Sequence, residues 1–218
     1  MGRGLQESGE EIGISLSSRK VLWYTAGIFL AHLLFLGAHP IVSFDGATCY
    51  MRYFDDPQFR KVGTPGYPIF VWLFRWVFDP VLAGQLVSAL FGSLLVFPVL
   101  SLLESRVVPM YRTHALCALV LNPLIFRYGL ITMSDVTGLF FIVSAFALFE
   151  RDRWGLSGLA FFMAYLTRPE YLILAPFFFR RDRRTWAFYQ VLAVGVTMYV
   201  AWLSVDRDHA GAGLERDQ

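Results

Sequence analysis

Two acidic stretches and two arginines hold the side chains of this sequence best suited to chemistry. Asp45 lies in Ser43-Phe44-Asp45-Gly46-Ala47-Thr48-Cys49-Tyr50, and Asp135 follows Met133-Ser134. Arg127 stands eight residues before Asp135, while Arg168 and Glu170 flank a proline in Leu166-Thr167-Arg168-Pro169-Glu170. A carboxylate in a partly dry site can accept a proton from a weak nucleophile, and a fixed guanidinium can pair with a carboxylate or a phosphate. Each residue also has a plainer reading. Asp45-Gly46 can be a simple turn, with Asp45 capping a helix through Tyr53. Asp135 can be the N-cap of the apolar run that follows it, and Arg127 can snorkel to a headgroup layer or pair with an acidic neighbour. His32 and His39 fit an interfacial position better than a ligand role. No His, Asp and Glu grouping has metal-ligand spacing, so no metal site is expected, and a divalent cation stays an open possibility rather than a requirement.

The elements that must position these residues follow from composition. The 218 residues are 56% hydrophobic and only 17% charged, and the mean hydropathy is +0.50, which excludes an ordinary water-soluble globule. The charges gather between long apolar runs, the pattern of a chain threaded through a bilayer. The expected fold class is therefore all-α, a polytopic membrane protein. A net charge of +2 is too small to suggest a nucleic-acid partner. Cys49 and Cys117 lie in settings too different to argue for a bridge or a metal site, and no internal repeat is visible.

Residues 1–20 are expected to form a cytoplasmic disordered tail, residues 21–205 the membrane domain, and residues 206–218 a second disordered tail. The apolar runs are Val21 to His39, Gly66 to Phe78, Val81 to Leu103, Thr113 to Ile131, Val136 to Phe149, Trp154 to Leu166, Tyr171 to Phe179 and Thr185 to Ser204. Thirteen helical residues from Gly66 to Phe78 reach about 20 Å against a hydrocarbon core of roughly 30 Å, and Arg75 sits among them. That run is expected to lie along the outer surface as a juxtamembrane amphipathic helix, 66–78, within an outer loop spanning 40–80. About seven membrane segments remain.

With the N-terminus inside, the cytoplasmic segments then hold Arg3, Arg19, Lys20, Arg106, Arg112, Arg151, Arg153, Arg180, Arg181, Arg183 and Arg184, eleven of the nineteen basic residues. The positive-inside rule selects this topology. The pair Trp154 to Leu166 and Tyr171 to Phe179 is too short for two upright spans and reads as a thinned or re-entrant hairpin broken at Arg168-Pro169. Asp45, Asp135, Arg168 and Glu170 then share the outer side, although the charge counting that sets the topology uses neither aspartate.

In order and spacing, these fragments resemble the integral membrane glycosyltransferases of the GT-C fold, the superfamily of protein O-mannosyltransferases and of aminoarabinose transfer to lipid A. The likeness runs from about Val21 to Arg184. It rests on Asp45, Gly46 and Tyr50 after the first span, with Tyr50 one position late. It rests also on Thr64-Pro65-Gly66-Tyr67-Pro68, on the basic turn Glu104-Ser105-Arg106, on Asn122-Pro123 through Ser134-Asp135, and on Leu166 to Glu170. The resemblance implies a transferase that takes a sugar from a polyprenyl-phosphate donor on the outer face, with inversion. Asp45 would be the general base, Arg168 and Arg127 would neutralise the departing phosphate, and Asp135 would orient sugar or acceptor. Tyr50 and Glu170 would join the substrate-binding group. Family enzymes are commonly about twice as long, so a partner membrane subunit or a non-catalytic scaffold binding polyprenyl lipid is the competing expectation. A small transporter ranks last, because no matched pair of broken segments occurs in two halves. The expected location is the plasma membrane, or the endoplasmic reticulum membrane in a eukaryote.

Overall fold

A computed structural model describes residues 18–36, 50, 53, 55, 64–120, 122–179 and 185–214. Among them the regular structure is helical: α1 (Ser18–Phe35), α2 (Gly66–Phe74), α3 (Pro80–Leu94), α4 (Val96–Arg106), α5 (Pro109–Val120), α6 (Pro123–Tyr128), α7 (Ser134–Glu150), α8 (Trp154–Thr167), a 3-10 segment (Pro169–Phe178) and α9 (Thr185–Leu214). Asp45 lies outside the described residues.

Among the described residues two helices are long and apolar enough to cross a membrane, Pro80–Arg106 and Thr185–Ser204; Val21–Phe35 and Trp154–Thr167 are shorter apolar helices. The first of these starts sharply because Asp79 Oδ1 accepts from the amides of Val81 and Leu82, at 3.0 and 3.1 Å, and Pro80 occupies a position whose N–H would be an orphan. It is α3 and α4 end to end, interrupted at Leu95. Pro98 cannot return an N–H to the carbonyl of Leu94, which accounts for the break.

Three elements differ from expectation. The helix expected over 66–78 ends at Phe74, about 13 Å long, and is apolar on both faces rather than amphipathic. Tyr67 and Val71 pack on Ala83, Val87 and Phe91, while Ile69, Trp72, Leu73 and Trp76 are exposed. Its polar end is Arg75, 2.9 Å from Asp55. The run from Thr113 to Ile131 is not one helix, because Asn122 restarts the chain by accepting from the amide of Leu124 at 2.9 Å, with Pro123 behind it. Finally, α9 continues to Leu214, so Asp206 to Leu214, expected to be disordered, is helical. Extending a helix already twenty residues long requires no new nucleus.

The largest core cluster joins α7, α8, the 3-10 segment and α9 through Phe149, Phe161, Phe178 and Phe188, the last two stacked at 4.7 Å. Ser157 Oγ donates to the carbonyl of Ala145 at 2.7 Å, and Asp152 takes a left-handed φ of 57° in the tight turn between α7 and α8. This packed unit is the platform for the polar residues at the opposite ends of α7 and α8.

Candidate functional site

The site forms where α8 stops. Pro169 disfavours helical backbone at the residue before it, and Arg168 is accordingly extended, at φ −149° and ψ 106°. Its guanidinium reaches across to the first turn of α7, where Nη2 lies 2.7 Å from Asp135 Oδ2. Asp135 is not the cap: Met133 holds that position in extended backbone and makes no side-chain cap bond. A carboxylate in a first turn is favoured by the helix dipole, and Asp135 there also faces the Arg168 guanidinium.

The turn that carries Asp135 is fixed onto α3. Gln85 Nε2 donates to the carbonyl of Leu130 at 3.2 Å, Thr132 Oγ1 to that of Val81 at 3.4 Å, and Ser88 Oγ to that of Met133 at 3.3 Å. A Cβ on Gly84 would run into the Thr132 side chain. From α2, Tyr67 Oη donates to the carbonyl of Gly84 at 2.7 Å and lies 2.9 Å from Ser88 Oγ. Burial pushes this phenol far above its ordinary pKa, and the Ser88 hydrogen bond only partly opposes that. Tyr50 closes the cluster, its hydroxyl 2.7 Å from Ser134 Oγ and its ring edge-to-face with Tyr67 at 4.9 Å.

The Arg168 side is fixed as tightly. Thr64 Oγ1 donates to the carbonyl of Thr167 at 3.0 Å, and a Cβ on Gly66 would sit 2.5 Å from the carbonyl carbon of Leu166. On α7, a Cβ on Gly138 would meet the Tyr171 ring at 2.7 Å and Thr167 Oγ1 at 3.1 Å. Burial opposes the charge on Arg168, but the field of Asp135, then of Tyr50 and Glu170, holds its pKa above the ordinary value. The pair stays partly open, with side-chain exposures of 27% for Arg168 and 34% for Asp135. Arg168 Nε is buried and has no hydrogen-bond partner among the described residues.

Of the residues singled out from sequence, Asp135, Arg168, Glu170 and Tyr50 therefore come together. Arg127 does not join them; it is exposed on α6, and no ion pair or side-chain hydrogen bond among the described residues links it to Asp135 or Arg168. Sequence reasoning missed Tyr67, Ser88, Thr64 and Tyr171. The signal for Tyr67 was present in Thr64-Pro65-Gly66-Tyr67-Pro68, where a large phenol follows a glycine in a proline-bounded segment. Nothing in the sequence marked Ser88, a small hydroxyl in an apolar helix.

An apolar groove of about 350 Å³ runs beside this cluster, bounded by Tyr53, Pro65, Ile69, Phe162, Leu166, Gly195, Met198, Tyr199 and Trp202. Leu166 and Pro65 belong to the same contact that holds Arg168. A partly exposed guanidinium two residues from the lining residue Leu166 of an apolar groove suits a molecule with an anionic head and an apolar tail. Among the described residues no group of three or more His, Cys, Asp or Glu is placed to hold a metal ion. Comparison with family models, with curated proteins and with solved structures found no match.

Proposed function

We propose that this chain is a multi-pass membrane glycosyltransferase of the GT-C type, moving a sugar from a polyprenyl-phosphate donor to a hydroxyl or amine on the extracytoplasmic face. The observation that carries the reading is the Arg168–Asp135 pair, partly open and set beside an apolar groove. Arg168 would take the phosphate oxygens of the donor and the groove the first part of its isoprenoid tail. Asp135, already committed to Arg168, orients that guanidinium instead of accepting a proton. Asp45 supplies the base, removing the acceptor proton as the acceptor attacks the anomeric carbon. The bond from that carbon to the phosphate oxygen breaks, its electron pair leaves with polyprenyl phosphate, and configuration inverts. Fixed positive charge assists the departing phosphate, and no acid is needed.

A second reading, a non-catalytic subunit that binds polyprenyl lipid or a partner transferase, draws on the same cation and groove, which a lipid holder also needs. The assay that separates them uses the full chain in nanodiscs with a panel of polyprenyl-phosphate-linked sugars. The transferase reading expects product from at least one donor and a loss of about 100-fold or more in Asp45→Asn. Unchanged turnover in that variant removes Asp45 as base, and polyprenyl phosphate binding without transfer from any donor leaves the subunit reading.

A further inference from the structure

A second apolar cleft, distinct from the groove beside Arg168, lies between the α3–α4 junction with α4 and helix α7, with a volume of about 380 Å³. Leu94, Phe97 and Ser101 line one wall, and Phe140, Ser144 and Arg151 the other. Along the Pro80–Arg106 run, and along α7 to its C-cap Arg151, these positions recur at three, four or seven residues, so each wall follows one helical face. The two helices run in parallel, since Arg106 pairs with Glu150 at 2.6 Å and Arg151 with Glu104 at 3.2 Å at one common end. The cleft therefore has a charged end at Arg151 and an apolar end at Phe140. From Phe140 to Arg151 α7 rises about 16 Å, close to half of a hydrocarbon core of roughly 30 Å.

We infer that this cleft seats one anionic phospholipid of the cytoplasmic leaflet, its phosphate on Arg151 and one acyl chain along the α4 and α7 stripes. The inference rests on the topology proposed above. The Arg151 side chain is 56% exposed, and its one ion pair among the described residues is the longer of the two, which leaves guanidinium donors for a phosphate. A one-leaflet length, apolar walls and a cation only at the polar end fit a lipid better than a soluble anion, which would have no use for the walls.

The test uses the full chain in detergent with added phosphatidylglycerol, phosphatidylcholine or inorganic phosphate, read by native mass spectrometry and thermal unfolding. The account expects phosphatidylglycerol to be retained over phosphatidylcholine by about fivefold, the share one surface arginine contributes. Arg151→Gln should erase that preference, and Ser144→Phe, which fills the cleft, should lower retention of both lipids. Equal retention in the parent chain, a preference unmoved by Arg151→Gln, or stabilisation by inorganic phosphate matching that by phosphatidylglycerol would overturn it. A Ser144→Phe chain that fails to fold is replaced by Ser101→Leu with the same expectation. Binding in detergent does not depend on sidedness, so labelling of Arg151→Cys from outside the cell would reject the topology while the detergent result judged the cleft alone.

Discussion

Thr64 Oγ1 donates to the carbonyl of Thr167 at 3.0 Å, so the residue that leads into α2 is bonded to the peptide unit that carries Arg168. Next to it, Gly66 lies against the Leu166 carbonyl with no room for a side chain. Thr64 and Gly66 thus tie the start of α2 to the backbone that presents Arg168.

Gly66→Ala should therefore be costly. The added carbon meets main-chain atoms of Leu166 and Thr167, and overpacking of this kind costs about 1–3 kcal/mol. Gly27→Ala, where nothing lies within 4 Å of the new carbon, is the control and should leave stability unchanged or slightly raised. Thermal unfolding in detergent checks both, and equal melting temperatures for the two variants would contradict the close contact.

Arg168→Ala should weaken binding of polyprenyl phosphate by roughly 10- to 100-fold, the range for losing a hydrogen bond to a charged group. Arg168→Lys should fall between, because a point charge persists while the planar fork is lost. Asp135→Asn keeps the shape and removes the charge that orients the guanidinium, so it should also weaken binding. Equal affinities for the Ala and Lys variants, measured by titration in nanodiscs, would contradict phosphate recognition.

Tyr67 gives the fold an alkaline limit. Its phenol has a folded pKa raised by burial above an unfolded value of about 10. The folded state then holds its proton where the unfolded state releases it, so this contribution is complete below about pH 10 and lost as pH rises beyond it, by about 1.4 kcal/mol per unit. Tyr67→Phe should show lower stability at neutral pH and a shallower alkaline decline. Parallel pH profiles for the two chains would contradict the buried hydroxyl.

Much of the site was legible because its residues stand at element ends. Arg168-Pro169 announces a break, and the break is where the guanidinium leaves the helix. Ser134-Asp135 announces a helix start, but the cap reading failed because Met133 takes that position without a side-chain bond. The helix limits after Phe74 and at Asn122 were less legible, since a hydropathy run does not register where a capping side chain restarts the ladder. The second wall of the site, Tyr67 with Ser88, is a contact between α2 and α3 that periodicity alone does not pair.

The proposed topology puts Asp45 and the Arg168 turn in one compartment outside the membrane. It is tested most directly by single-cysteine labelling in intact cells, with Cys49 and Cys117 replaced by serine and one new cysteine at Asp45, Glu170 or Arg151. Asp45→Cys and Glu170→Cys should react with an impermeant maleimide from outside, and Arg151→Cys only after permeabilisation. Labelling of positions 45 and 170 from opposite sides would contradict it.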